Sequence, residues 1–183
     1  MHVQSLEIPD VKIIKPKKIG DERGYFTELY TKKTFDENVN NINFLQDNQS
    51  LSVEKGIVRG LHYQSPPFAQ DKLVRCLSGA ILDVAVDIRK NSEFYGKHIV
   101  KEISAENFEQ ILVPKGFAHG FLTLEKNTIV NYKVSNYYSF ENDHGLYWAD
   151  PDLGIDWKIT IDEAILSEKD ANQPFLKDIN TPF

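Results

Sequence analysis

Short apolar runs separated by turn residues set the rhythm of this chain. Val, Ile, Phe and Tyr gather in VKIIKPKKI (11–19), GYFTELY (24–30), GIVRGLHYQ (56–64), KLVRCLSG (72–79), AILDVAVDIR (80–89), KHIVKEI (97–103), EQILVP (109–114), HGFLTL (119–124) and TIVNYKVSNYY (128–138). β-Branched and aromatic runs of this length, bounded by Gly, Pro, Asn and Ser, predict strands. About nine of them over roughly 130 residues is the spacing of a β-sandwich or jelly roll. Helix signals are few: TKKTFDENV (31–39), with Thr31 or Thr34 near its start, and SEKDANQ (167–173). No linker, repeat or shift in composition divides the chain, so one mainly β domain over 1–183 is expected. The tail KDINTPF (177–183) is expected to drape over the surface or fray.

Strand parity then singles out polar residues in apolar company, because alternate side chains share a face. Tyr132 shares a face with Val130, Val134 and Tyr138. Lys72 aligns with Val74 and Cys76, and lysine is seldom buried without a partner. Asp83 and Asp87, alternating with Leu82, Val84 and Val86, are candidate partners; a lysine at a strand start with its charge in water fits the pattern equally well. His62 and Lys72 flank the loop SPPFAQD (65–71), and a hairpin would bring them together. Arg59 precedes His62 by three positions, so strict alternation puts it on the other face. A bulge at Gly60 would re-aim one of them, and both registers fit.

Composition narrows the function. Hydrophobic residues at 41% and charged residues at 26% suit a folded domain of 183 residues, not a disordered chain. A net charge of −6 argues against a nucleic-acid binder, although a few arginines in one pocket still accept a small anion. The single Cys76 excludes an internal disulfide and a multi-cysteine metal site, and its apolar run predicts a buried, inert thiol. Residues 1–18 carry no apolar signal core, and no run of 18 apolar residues occurs. A cytoplasmic protein without membrane partners is the expectation.

In VPKGFAHGFLTL (113–124), Pro114, Gly116 and His119 form a turn that delivers a histidine into a strand. Together with GLHYQ (60–64) and Lys72 this resembles the two motifs of the cupin superfamily, which implies a jelly roll with its site inside. Metal-binding cupins place a second histidine two residues after the first and a glutamate soon after. Here Gln64 takes the first place and no Glu follows it before Lys72. An ammonium offers no lone pair and repels a cation, so no metal and no cofactor are expected.

Histidine and lysine have other chemistry to offer. A neutral imidazole removes a proton from a carbon beside a ketone, and an ammonium stabilises the enolate oxygen that develops. A tyrosine hydroxyl on the opposite wall returns a proton to the other face. His62, Lys72 and Tyr132 are the candidates for these three parts.

From about 15 to 177 the chain resembles the dTDP-4-dehydrorhamnose 3,5-epimerase family. The motifs that carry the resemblance are DERGYF (21–26), QDNQS (46–50), VRGLHYQ (58–64), KLVRC (72–76), DVAVDIRKNS (83–92), PKGFAHGF (114–121), DPDLGIDW (150–157) and LSEKD (166–170). The resemblance implies conversion of dTDP-4-dehydro-6-deoxy-D-glucose to dTDP-4-dehydro-L-rhamnose, without a cofactor. It makes His62 the base, Asp170 the carboxylate that orients it, Tyr132 the proton donor and Lys72 the group beside the C4 oxygen. His119 would line the sugar pocket, Arg23 and Arg59 would hold the diphosphate, and Tyr138 would stack on thymine. Phe26, Glu28, Gln46 and Asn48 match further pocket positions. Along an extended strand Tyr132 and Tyr138 would stand about 20 Å apart, enough to serve the two ends of a nucleotide sugar. Asp143 stands where many members carry a glutamate. The family's N-terminal strands cross to a partner, which implies a homodimer whose neighbour is completed by residues near Arg23 and Phe26. Alternatives are a single-centre epimerase of a related dTDP-ketosugar and a non-catalytic sugar-nucleotide-binding cupin. A metal-dependent oxygenase is disfavoured by the missing ligand set.

Overall fold

The computed structural model describes residues Met1–Phe183. Its strands are β1 (His2–Ser5), β2 (Lys12–Lys15), β3 (Ile19–Asp21), β4 (Gly24–Phe26), β5 (Gln46–Ser52), β6 (Val58–Gln64), β7 (Lys72–Ser78), β8 (Ala80–Asp87), β9 (His98–Ser104), β10 (Gln110–Val113), β11 (Phe117–Thr123), β12 (Thr128–Val134) and β13 (Asp143–Gly145). Two short helices, α1 (Lys32–Asn38) and α2 (Glu168–Ala171), occupy the two expected segments. Every expected run contains a strand. β1, β3, β5 and β13 were not foreseen, β3 sharing only Ile19 with an expected run.

Two antiparallel sheets face each other as a jelly roll, in the orders β1-β2-β10-β7-β12-β5 and β13-β6-β11-β8-β9. Ile13, Val74, Ile111 and Val130 of the first sheet meet Ile81, Ala85, Phe117 and Phe121 of the second. β8 is buried along its whole length because both of its faces are covered. Ile81 and Ala85 point into the barrel, while Leu82, Val84 and Val86 pack outward beneath Leu146, Trp148, Leu153 and Trp157 of the C-terminal segment. A strand covered on both sides reads as a continuous apolar run, as AILDVAV does. On the outer face of the first sheet, α1 lays Phe35 and Val39 over Ile14, Leu73 and Leu112. The C-terminal tail drapes: the buried Thr181 hydroxyl donates to the Ile88 carbonyl at 2.5 Å, and the Lys90 N–H donates to the Phe183 carbonyl at 3.1 Å.

The hairpin expected between His62 and Lys72 does not form. β6 and β7 belong to opposite sheets, so SPPFAQD is a crossover and the two residues face each other across the barrel interior. Tyr138 also lies outside the strand in which parity placed it, since β12 ends at Val134. The backbone leaves the sheet there, and neither the shared face nor the extended spacing applies.

Between Arg59 and His62 the bulge is present. His119 of β11 pairs with His62 and Phe121 with Arg59, so three steps on β6 oppose two on β11. Val58 and Leu61 consequently share the outward face, which leaves Arg59 and His62 together on the inward one. Two glycines permit this crossing. Gly60 has φ +126°, and a Cβ there would meet Gly120 Cα at 2.6 Å; a Cβ on Gly120 would meet the Arg59 carbonyl oxygen at 2.6 Å and Gly60 Cα at 3.0 Å. Gly120→Ala is therefore expected to spread β6 from β11, costing about 1–3 kcal/mol of stability and most of the activity. Thermal melts checked against turnover test this, and an unchanged melting temperature with full activity would contradict it.

Candidate active site

A cavity of about 470 Å³ opens between the two sheets, with Arg59, His62, Lys72, His119, Tyr132 and Asp170 on its walls. Its size suits a small-molecule site. β6 supplies Arg59 and His62 through the bulge, β7 supplies Lys72 at its first residue, and β11 and β12 supply His119 and Tyr132. Asp170 arrives from α2, whose Ser167 cap accepts the Asp170 N–H at 3.1 Å.

His62 Nε2 lies 2.5 Å from Asp170 Oδ1. A carboxylate only accepts, so Nε2 carries the hydrogen and Nδ1 keeps the free lone pair. Burial works to raise the Asp170 carboxyl, but hydrogen bonds from His62, Ser167 and the Gly60 backbone outweigh it and hold it below the usual carboxylate range. Opposite His62, the Lys72 ammonium sits deep in the barrel with part of its surface open to the cavity. It reaches the His62 carbonyl at 3.4 Å. Burial pushes it down to about 8, against the attraction of Asp143 and Asp83. The Tyr132 hydroxyl is raised by burial, with Arg59 opposing, so it stays protonated at neutral pH.

Asp83 partners His119: His119 Nε2 lies 2.9 Å from Asp83 Oδ2, both residues being buried. Asp87, the other candidate partner for Lys72, is committed elsewhere, accepting from Arg89 and from the Ser92 hydroxyl at 2.6 Å. Cys76 is buried and its thiol is pushed up to about 12 by burial, so it is inert at neutral pH.

β5 places Gln46 and Asn48 on the same side of the sheet as Tyr132, since Asn48 pairs with Tyr132 and Gln46 with Val134. Gln46 Nε2 donates to Asn48 Oδ1 at 2.7 Å. Arg59 spans to the same edge, donating to the Ser52 hydroxyl at 3.1 Å and the Leu51 carbonyl at 3.3 Å. Tyr138, which is exposed, donates its hydroxyl to Asp143 Oδ2 at 3.0 Å. The shorter carboxylate at 143 thus reaches the tyrosine. Arg23, Phe26 and Glu28 are not brought to the cavity within one chain; they lie on or just after the exposed β3–β4 hairpin, where Arg23 pairs with Asp21 at 2.5 Å.

One residue of the site was not foreseen. Lys169, beside Asp170 in LSEKD, lines the cavity and donates to Asp143 Oδ2 at 2.5 Å. Its only signal in the sequence was its neighbour. A larger groove is bordered by residues 40–43, 66–67 and 91–94. Its Arg89 is bound to Asp87 and Asp10, and its Asp71 accepts from the Ser135 hydroxyl and the Lys115 N–H.

A jelly roll with a carboxylate-held imidazole facing an ammonium and a phenol across its interior defines a cupin-type enzyme of proton transfer. Residues 5–178 match the family model described as dTDP-4-dehydrorhamnose 3,5-epimerase, and the chain belongs to that family. The dTDP-4-dehydrorhamnose 3,5-epimerase of Sinorhizobium fredii is 53% identical over 184 residues, covering 100% of this chain and 93% of the relative. Among solved structures, the dTDP-6-deoxy-D-glucose-3,5-epimerase of Legionella pneumophila in complex with dTDP-4-keto-L-rhamnose superposes with a TM-score of 0.93 at 42% identity, over 98% of this chain and 94% of that one. A 3'-monoepimerase from Streptomyces bikiniensis in complex with dTDP-quinovose gives a TM-score of 0.87 at 31% identity, over 97% and 88% of the two chains.

The ammonium at position 72 costs stability. Its folded value of about 8 lies below its ordinary 10.5, so the unfolded chain binds more protons between those two pH values and stability rises with pH across that window. Below pH 8 the folded state carries the full penalty. Lys72→Met is expected to stabilise the protein at pH 7 by on the order of 1–3 kcal/mol, cavity water keeping the gain toward the lower figure. Denaturant melts at pH 7 and pH 10 check this: the advantage of Lys72→Met shrinks at the higher pH, and a variant less stable at pH 7 would refute the account.

Proposed function

We propose that the chain converts dTDP-4-dehydro-6-deoxy-D-glucose to dTDP-4-dehydro-L-rhamnose by exchanging the protons at C3 and C5. The observation that carries this reading is the single cavity in which His62, held by Asp170, faces Lys72 and Tyr132. His62 Nδ1 takes the proton from the carbon beside the C4 ketone, and the electron pair of that C–H bond moves into the enolate. Charge gathers on the C4 oxygen, where the Lys72 ammonium meets it. Asp170 stabilises the imidazolium formed in that step. The Tyr132 hydroxyl then gives its proton to the opposite face of the carbon, inverting it, and exchange with water resets both groups. The same sequence at the second carbon completes the reaction.

Around this centre Arg59 holds the diphosphate, because a guanidinium pairs with phosphate oxygens through two parallel bonds. His119 lines the sugar, Gln46 and Asn48 line the rim, and Tyr138 stacks on the thymine ring, with Asp143 beside it. Lys72 sets the alkaline limit: its charge is present below about 8 and is lost above it.

We further propose that the enzyme works in the cytoplasm as a homodimer in which the N-terminal hairpin of one subunit reaches the other. In one chain β3 and β4 pair only with each other. The hairpin leaves Ile19, Tyr25 and Phe26 exposed, Phe26 at 65%, and Leu51 and Leu77 are bare on the strands of the first sheet. Docking this hairpin on a second copy would cover apolar surface and deliver Arg23, Phe26 and Glu28 to a cavity that lacks them. No helix is long and apolar enough to cross a membrane.

Proton NMR of the substrate in deuterated water, with enzyme and no reductase, tests the reaction. Deuterium is expected at both C3 and C5, with the rate falling above pH 8. Entry at one carbon would assign a single-centre epimerase, and bound substrate without exchange would assign a binding protein. His62→Asn is expected to slow exchange by about 10²–10⁴-fold while the protein stays folded, and Tyr132→Phe to slow inversion more than binding. Sedimentation equilibrium is expected to give a dimer that Phe26→Asp weakens together with activity; a fully active monomer would overturn the shared site.

A further inference from the structure

Tyr138, outside the cavity, is linked to the His62–Asp170 pair by polar contacts and one step along the backbone. The Tyr138 hydroxyl donates to Asp143 Oδ2 at 3.0 Å, and the same oxygen accepts from Lys169 Nζ at 2.5 Å. The next residue after Lys169 is Asp170, whose Oδ1 lies 2.5 Å from His62 Nε2. Both Lys169 and Asp170 stand on α2, which is four residues long. A single helical turn has no stability of its own in water, so its position depends on what anchors it. Asp170 ties the turn to β6, and Lys169 ties it to Asp143 of β13.

The far end of the chain is the loose one. Tyr138 is 60% exposed and lies beyond the end of β12, in a segment outside the sheets. Its ring gains a second partner only when something stacks on it. The Asp143 oxygen that it shares with Lys169 sits in a half-buried place, where such a bond is worth more than at the open surface. Fixing the ring fixes the hydroxyl on that oxygen. That fixes the carboxylate on the ammonium, and the ammonium on the turn that carries Asp170.

We propose that Lys169 is a positioning residue that couples nucleoside docking at Tyr138 to the His62–Asp170 contact, so that an occupied base subsite holds the general base in its working orientation. This rests on the reading above that Tyr138 stacks on the nucleoside. Coupling between two sites is reciprocal and commonly amounts to about 5- to 150-fold. A substrate lacking its nucleoside therefore loses turnover as well as affinity, because the dyad it meets is less often closed.

Thymidine is the probe that separates this coupling from simple electrostatics, since it carries the base and no phosphate charge. The proton in the His62–Asp170 hydrogen bond is followed by NMR on histidine-labelled protein, and its exchange with water reports how often the contact opens. In the wild type, thymidine is expected to slow that exchange by about 5-fold or more. Lys169→Arg, which keeps a cation for Asp143, is expected to behave alike, and Lys169→Met to show no protection. Turnover should follow the same order, falling by about 5- to 150-fold in Lys169→Met and recovering in Lys169→Arg. Ring resonances of Tyr138 report docking independently. Thymidine that perturbs those resonances while protecting the dyad equally in wild type and Lys169→Met, or in neither, would overturn the coupling. Saturating thymidine that leaves the Tyr138 ring untouched would overturn the stacking assignment beneath it, and the coupling with it.

Discussion

The contact of Gly60 with Gly120 is the constraint on which the site depends. Two backbones cross there more closely than any side chain allows, and the crossing lets β6 gain a residue against β11. Without that gain Arg59 would point outward into the layer that holds Leu61 and Trp148. With it, the Arg59 guanidinium and the His62 imidazole share one wall. The rest of the site follows from ordinary parity: Lys72 with Val74 and Cys76, Tyr132 with Val130, His119 with Phe117 and Phe121. One irregularity of register therefore turns an apolar sandwich into a reaction vessel.

The interior that results is expensive. An ammonium, two imidazoles and two carboxylates occupy positions that a purely structural jelly roll would give to aliphatic residues. Each is compensated in its own way: Asp170 by three hydrogen-bond donors, Asp83 by His119, and Lys72 only by a carbonyl and distant charge. Lys72 is the least compensated, and it is the group assigned to charge that exists only while the enolate does. A group fully satisfied in the resting protein would have little left to offer that oxygen.

The strands rich in Val, Ile and aromatics were legible because propensity and burial agree in them. β5 was not, since its inward positions are the polar Gln46, Asn48 and Ser50, of which Ser50 lines the cavity, and its outward ones include exposed Leu51. The usual code of apolar inside and polar outside is inverted exactly where function intrudes. His62 and Lys72 were the right residues brought together by the wrong route, as no local pattern distinguishes a hairpin from a crossover between sheets. Tyr138 was given to a strand that ends four residues earlier, at Val134. Asp170 carried no signal in its own neighbourhood and was reachable only through the resemblance. Lys169 escaped even that, because a lysine in a charged run looks solvated until Asp143 is seen to meet it.

The separation between His62 and Asp170, 108 residues along the chain, bears on when the protein becomes an enzyme. Residues 146–157 seal the outer face of the second sheet before the chain turns back to deliver α2. A polypeptide emerging from the ribosome builds from its N-terminus, and contacts between distant segments form late. The barrel walls, with Arg59, Lys72, His119 and Tyr132, are complete in sequence well before residue 170 is made. The turn of α2 thus sets Asp170 against His62 only after the barrel walls have been made.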